Sequence, residues 1–124
     1  MFIYFLDYVT IQMDTMNTTH YCKHTSGGTW PNEKYPTTCY LPEVSLPDTC
    51  HTLCSSYGWC IGYIKRAVND TTDTCNLITS TGNCTIGKER NTGYTATTSC
   101  QIAASEVQSG FSCFVKSYTG NTIL

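Results

Sequence analysis

A chain of 124 residues is one domain's worth of polypeptide, which excludes a multidomain enzyme. Charged residues make up only 13% and the net charge is −2; with no run of either sign, nucleic acid and acidic membrane surfaces are poor partners. Nine cysteines, nine tyrosines, 22 threonines and 10 serines instead describe a secreted, stapled, mostly β protein.

The first element, Met1 to Met13, is rich in β-branched and aromatic residues and contains neither Gly nor Pro, which predicts a long strand. One face carries Ile3, Phe5, Val9 and Ile11 and the other Phe2, Tyr4, Leu6 and Tyr8, so both faces are sticky. The stretch has no Lys or Arg before Lys23, carries Asp7 within the apolar run and lacks a small-residue exit, unlike a signal peptide, and it is too short and interrupted for a transmembrane segment. Thirteen extended residues reach roughly 43 Å, more than one internal strand needs. Residues 1–16 are therefore expected to form an arm that pairs with a neighbouring copy, and residues 17–124 the domain.

From Asn17 to Pro47 the glycines at 27 and 28 and the prolines at 31, 36, 42 and 47 predict loops and short extended pieces. His20, Cys22 and His24 share one face of such a piece, a spacing that could chelate a metal, but a disulfide at Cys22 would remove the thiolate, so no metal is expected. The helix is predicted from an N-cap at Ser45 to about Gly58, with Leu46, Cys50, Leu53, Cys54 and Tyr57 on its buried stripe. Strands follow over Trp59 to Arg66, Thr74 to Thr79 and Phe111 to Tyr118. Gly82 to Ser99 reads as a long loop or irregular hairpin, and Asp70 to Asp73 and Glu89-Arg90 as solvated loop charges.

Cysteines at this density without zinc-type spacing indicate an oxidising compartment. Asn17, Asn69 and Asn83 each begin an Asn-x-Thr triplet, an N-glycan acceptor pattern. The hydroxyl clusters at Thr37 and Thr38, Thr71 and Thr72, and Thr97 and Thr98 are O-glycan candidates, and attached sugar would keep a chain with few charges soluble. Covalent glycans are expected, and no cofactor. Trp30, Tyr35, Tyr40, Trp59, Tyr63 and Tyr94 could supply a sugar-stacking or protein-binding surface, with Trp30, Trp59 and Tyr63 as its candidate residues. No carboxylate pair, G-x-S-x-G, phosphate loop or H-E-x-x-H is present, and His51 beside Cys50 and Cys54 makes no nucleophile–base pair. No catalytic residue is assigned, and the chain is not expected to be an enzyme.

The segments Cys50-His51-Thr52-Leu53-Cys54, Tyr57-Gly58-Trp59-Cys60-Ile61-Gly62-Tyr63 and Cys75-Asn76-Leu77, in that order, resemble the central part of PAN/apple domains over residues 45–80. The resemblance implies an α+β, disulfide-rich fold in which one helix packs on a small antiparallel sheet. It also implies bridges Cys50 to Cys75 and Cys54 to Cys60, with Cys22 and Cys113 suited to a further bridge near the termini. Cys39, Cys84 and Cys100 are additional to that pattern. Cys84 with Cys100 is the tidiest extra pair, leaving Cys39 free or intermolecular. Bridges closing loops of about 15 to 25 residues would each contribute roughly 3 kcal/mol.

Two function classes remain. The first is an extracellular structural protein, a glycosylated protomer of a fibril or surface coat, whose partners are copies of itself joined head-to-tail through the N-terminal strand. The alternative is a secreted PAN/apple-like recognition module for adhesion, binding carbohydrate or another extracellular protein.

Overall fold

The computed structural model describes residues 8–17 and 19–121; Ile3 and Phe5 of the expected assembly strand lie outside the described residues. In chain order the elements are β1 (Tyr8–Asn17), β2 (His20–His24), β3 (Thr38–Ser45), α1 (Cys50–Ser56), β4 (Cys60–Ala67), β5 (Thr72–Thr79), β6 (Lys88–Arg90), a 3-10 turn (Ser99–Gln101), β7 (Ile102–Ser109) and β8 (Ser112–Asn121). Six strands form one antiparallel sheet in the order β1-β8-β4-β5-β3-β6, and β2 pairs with β7 in a separate two-stranded ribbon. The fold is thus mostly antiparallel sheet with one short helix, disulfide-rich, and of the α+β kind.

The sheet is covered on both faces at its centre. On one side Cys39, Tyr63, Cys75 and Leu77 pack with Cys50 and Cys54 of α1. On the other, Ile64, Ile78, Cys113 and Val115 pack with Cys22 and Ile102 of the ribbon. Double coverage explains why every residue of β5 from Cys75 to Thr79 is buried, a pattern that one-sided alternation would not give. A side chain at Gly62 would meet the Phe114 carbonyl oxygen at 2.6 Å, so β4 and β8 can pack at that point only with glycine between them.

The helix is shorter than its periodicity suggests. Ser45 belongs to β3, opposite Thr72 and hydrogen-bonded to its hydroxyl at 2.9 Å, and is therefore not an N-cap. Thr49 and Thr52 form the capping box instead, Thr52 N–H donating to Thr49 Oγ1 at 3.1 Å and Thr49 N–H to Thr52 Oγ1 at 2.8 Å. Leu46 is consequently 58% exposed, off the buried stripe. The last turn of α1 has no basic residue of its own. Lys116 of β8 supplies the charge, donating from Nζ to the carbonyls of Cys54 at 2.9 Å and Tyr57 at 3.2 Å, and burial lowers its pKa.

Four disulfides tie the layers together. Cys50–Cys75 and Cys54–Cys60 join α1 to β5 and β4, and Cys22–Cys113 joins the ribbon to β8. These are the pairs named from the resemblance. The fourth differs: Cys84 bonds to Cys39, not to Cys100, and Cys100, rather than Cys39, is the free and exposed cysteine. The reason is topological. The chain leaving β5 returns along β3 to form β6, bringing the two Cα atoms to 5.6 Å, whereas Cys100 lies in the 3-10 turn that enters the ribbon.

Part of the expected arm lies within the described residues. From Tyr8 to Asn17, with Val9 and Ile11 in it, it is the edge strand of its own sheet, paired with β8 from Tyr8↔Asn121 to Asn17↔Cys113. It finds a home partner because β8 runs ten residues, well beyond its four-residue register with β4.

Tyr63, a candidate for the ligand surface, is instead buried on the helix face and stacked on Phe114 at 4.7 Å, the core packing that its alternation with Trp59 along one strand favours. Burial, aided by the charge of Asp73, pushes its pKa up to about 12. The folded state thus holds the phenolic proton more tightly than the unfolded chain. The resulting stabilisation is complete below the ordinary value of 10.0 and is lost as pH rises towards about 12. Denaturant midpoints measured across that interval should fall in the wild type and change less in Tyr63→Phe.

Candidate functional site

Between the six-stranded sheet and the ribbon lies an open cleft of about 410 Å³. Its floor is the sheet face opposite the helix: Tyr40 of β3, Thr74 and Asn76 of β5 and Arg66 of β4. Tyr21 of β2 and Phe111, just before β8, form a wall, and Arg90 of β6 and the β4 end at Ala67 and Val68 form the rim. Two-residue alternation puts these side chains together: Thr38 and Tyr40 are on the side of β3 away from the helix, Tyr40 lining the cleft and Thr38 buried beneath it, while Cys39 between them faces the helix.

The wall is braced aromatically. Tyr21 meets Phe111 edge-on at 5.1 Å and Tyr35 edge-on at 5.4 Å. Burial raises the Tyr21 pKa, opposed by the charge of Arg90 and by hydrogen bonds with Thr38 and Asn91. Behind the wall, the buried carboxylate of Glu33 accepts from Ser105 Oγ at 2.7 Å, Glu106 N–H at 2.9 Å and Tyr35 OH at 3.1 Å, with Lys23 Nζ at 3.8 Å. Glu33 thereby ties the β2–β3 connection to β7 and fixes Tyr35, on which Tyr21 rests.

The charge distribution is one-sided. The guanidinium of Arg90 lies 3.5 Å from the Tyr40 ring centre, and that of Arg66 lies 5.8 Å from Phe111. No Asp or Glu lines the cleft, and the ion pairs among the described residues involve Lys23, not the arginines. Glu89, between Lys88 and Arg90 on β6, is opposite Cys39 and so points to the helix side. Arg90 is therefore not a solvated loop charge but a strand residue seated on an aromatic ring. Asn76 is buried, and its Oδ1 accepts from Thr38 Oγ1 at 3.4 Å, which leaves its NH2 as the group it offers the cleft.

The other sequence candidates scatter. Trp30 is 59% exposed in the connection after β2, whereas Trp59 stacks on Tyr57 at 5.0 Å on the helix side and donates to Thr85 Oγ1 at 3.1 Å. With Tyr63 beneath the helix, the three do not make one surface. His24 Nδ1 accepts from Ser26 N–H at 3.0 Å and Cys22 is bridged, so the His20, Cys22 and His24 set has no thiolate. Cys50 and Cys54 are likewise bridged beside the exposed His51.

Accessibility sorts the glycan candidates. Thr37 and Thr38 are fully buried, and Thr37 Oγ1 donates to the Asn91 carbonyl at 2.9 Å; neither hydroxyl can carry sugar in the folded protein. Thr71, Thr97, Thr98 and Asn83 are exposed and Thr72 is half-buried; the side chain of Asn17 lies outside the described residues. Asn69 is exposed in the β4–β5 connection, where its Oδ1 accepts from Thr71 N–H at 2.9 Å and Thr71 Oγ1 at 3.1 Å. In protein from a glycosylating host, peptide mapping should find sugar on Asn69 and none on Thr37 or Thr38. Sugar on either threonine would contradict the packing of β3.

No protein family, curated protein or solved structure matches the chain.

Proposed function

We propose that this chain is a secreted, non-enzymatic recognition module of PAN/apple-like type that binds carbohydrate or an extracellular protein in the cleft between sheet and ribbon. Four disulfides, and no helix among the described residues long and apolar enough to cross a membrane, fit a secreted protein. The observation that carries the reading is the cleft itself: concave, walled by braced aromatics, and lined by Arg66, Arg90 and Asn76 as polar groups that a ligand could meet. Nuclear magnetic resonance titration of labelled protein with oligosaccharides and peptides should shift the amides of Tyr21, Asn76 and Phe111. Shifts confined to β1, or none with any probe, would defeat the reading.

A second reading keeps self-association, as a glycosylated protomer of a fibril or coat. It is favoured by the position of β1 at the outer edge of the sheet, where ten residues of main chain could accept a strand from another copy. Sedimentation velocity separates the two readings: a concentration-independent monomer supports the module, and concentration-dependent large species support assembly.

A further inference from the structure

Resting on the reading of the cleft as a ligand site, we propose that its ligand is an anionic carbohydrate, whose carboxylates or sulfates are held by Arg66 on one side of the cleft and Arg90 on the other. Arg90 is backed by the Tyr40 ring, 3.5 Å from its centre, and Arg66 lies beside Phe111 at 5.8 Å. Contact with a ring leaves the guanidinium N–H donors available to an oxyanion. It also limits the rotamer freedom that a long exposed side chain loses on binding.

The electrostatics select the sign of the ligand. The chain as a whole is net −2, yet two arginines flank this cleft without an acid in its lining, and Lys88 shares the face of Arg90 by strand alternation. Neither arginine is neutralised by the ion pairs of the described residues. A ligand carboxylate or sulfate would supply the missing charge.

The architecture selects sugar over peptide. The floor of the cleft is a sheet face, whose main-chain groups are already engaged in β3–β5 and β4–β5 pairing, so an extended peptide could not be read by strand addition. What the cleft offers besides charge is side-chain polarity, the Asn76 amide foremost, suited to ring hydroxyls. Its volume of about 410 Å³ falls within the range of small-ligand pockets.

Isothermal titration calorimetry tests this with four probes: a hyaluronan tetrasaccharide carrying carboxylates only, a keratan sulfate tetrasaccharide carrying sulfates only, neutral chitotetraose, and an Asp hexapeptide. The proteins are the wild type, Arg66→Gln, Arg90→Gln and, as a control outside the cleft, Lys34→Gln, each checked for an unchanged denaturation midpoint. At least one acidic tetrasaccharide should bind at least about tenfold more tightly than chitotetraose. Each cleft variant should weaken it about ten- to hundredfold and the Lys34 variant should not. Which acidic sugar binds assigns carboxylate or sulfate. Equal binding of chitotetraose, or binding insensitive to both arginines but still shifting the cleft amides, would overturn the anionic assignment and leave the recognition reading standing. Binding by the peptide alone would replace sugar with protein. A loss in Lys34→Gln as large as in the cleft variants would reduce the effect to general charge and overturn the proposal. No probe bound in the cleft would overturn both the proposal and the reading beneath it.

Discussion

Replacing Cys22 and Cys113 together by alanine is expected to destabilise the protein by about 4–5 kcal/mol, the largest single loss available from its cross-links. The two residues are 91 apart in sequence, so their bridge removes far more freedom from the unfolded chain than Cys54–Cys60, which are 6 apart. Removing that shorter bridge should cost only about 2 kcal/mol by the same reasoning. Against a total stability of about 5–15 kcal/mol for a domain, the first loss is a large fraction. It also has a place in the structure: Cys22–Cys113 is the covalent link between ribbon and sheet, and the cleft exists only while the two are held together. Guanidinium denaturation of the two double variants reads both effects. Equal midpoints for both would show that loop length does not govern the contribution of these bridges.

Glu33→Ala is expected to cost about 3 kcal/mol, because it strips a buried acceptor from Ser105, Tyr35 and the Glu106 N–H and leaves these groups to find other partners. The same residue sets an acid limb to stability. Burial pushes its pKa up, but the hydrogen bonds from Glu106, Ser105 and Tyr35 and the charge of Lys23 outweigh that and hold it below the ordinary 4.5. The folded state therefore binds this proton less readily than the unfolded chain. The stabilisation is complete above about pH 4.5 and disappears as pH falls through the lower folded value. Urea midpoints between about pH 3 and pH 7 should show a steeper acid decline in the wild type than in Glu33→Gln. Parallel curves would mean that Glu33 is not the group responsible.

The elements that could be read from the sequence are those whose period matches what they bury. Cys50 and Cys54, one turn apart, mark the inner side of α1, and the apolar runs at Cys60–Ala67 and Thr72–Thr79 are the central strands β4 and β5. The ribbon was not legible. Its strand β2 is made of His, Tyr and Lys around one cysteine, and β7 of small and polar residues, so neither presents a hydrophobic period, and only their pairing with each other makes them strands. The start of α1 was misplaced because Ser45-Leu46-Pro47 imitates an N-terminal signal while tertiary pairing with Thr72 claims Ser45.

The cleft was hidden for a related reason. Arg66 and Arg90 belong to strands separated by β5 and β3 in the sheet order, and in sequence they lie far apart, with no motif that joins them. The available signal was the Lys88-Glu89-Arg90 alternation, which places like charges on one face if the segment is extended. Thr37 and Thr38 misled in the opposite direction, since hydroxyls that pair within the fold have the same local composition as an exposed acceptor cluster.

The most direct measurement is a crystal structure of the protein with an acidic tetrasaccharide that binds it. The account predicts the sugar in the cleft between Tyr21 and Asn76, with its carboxylate or sulfate within hydrogen-bond distance of the Arg66 or Arg90 guanidinium. A sugar bound elsewhere, on the helix side or along β1, or one lying in the cleft with its anionic group turned away from both arginines, would contradict it.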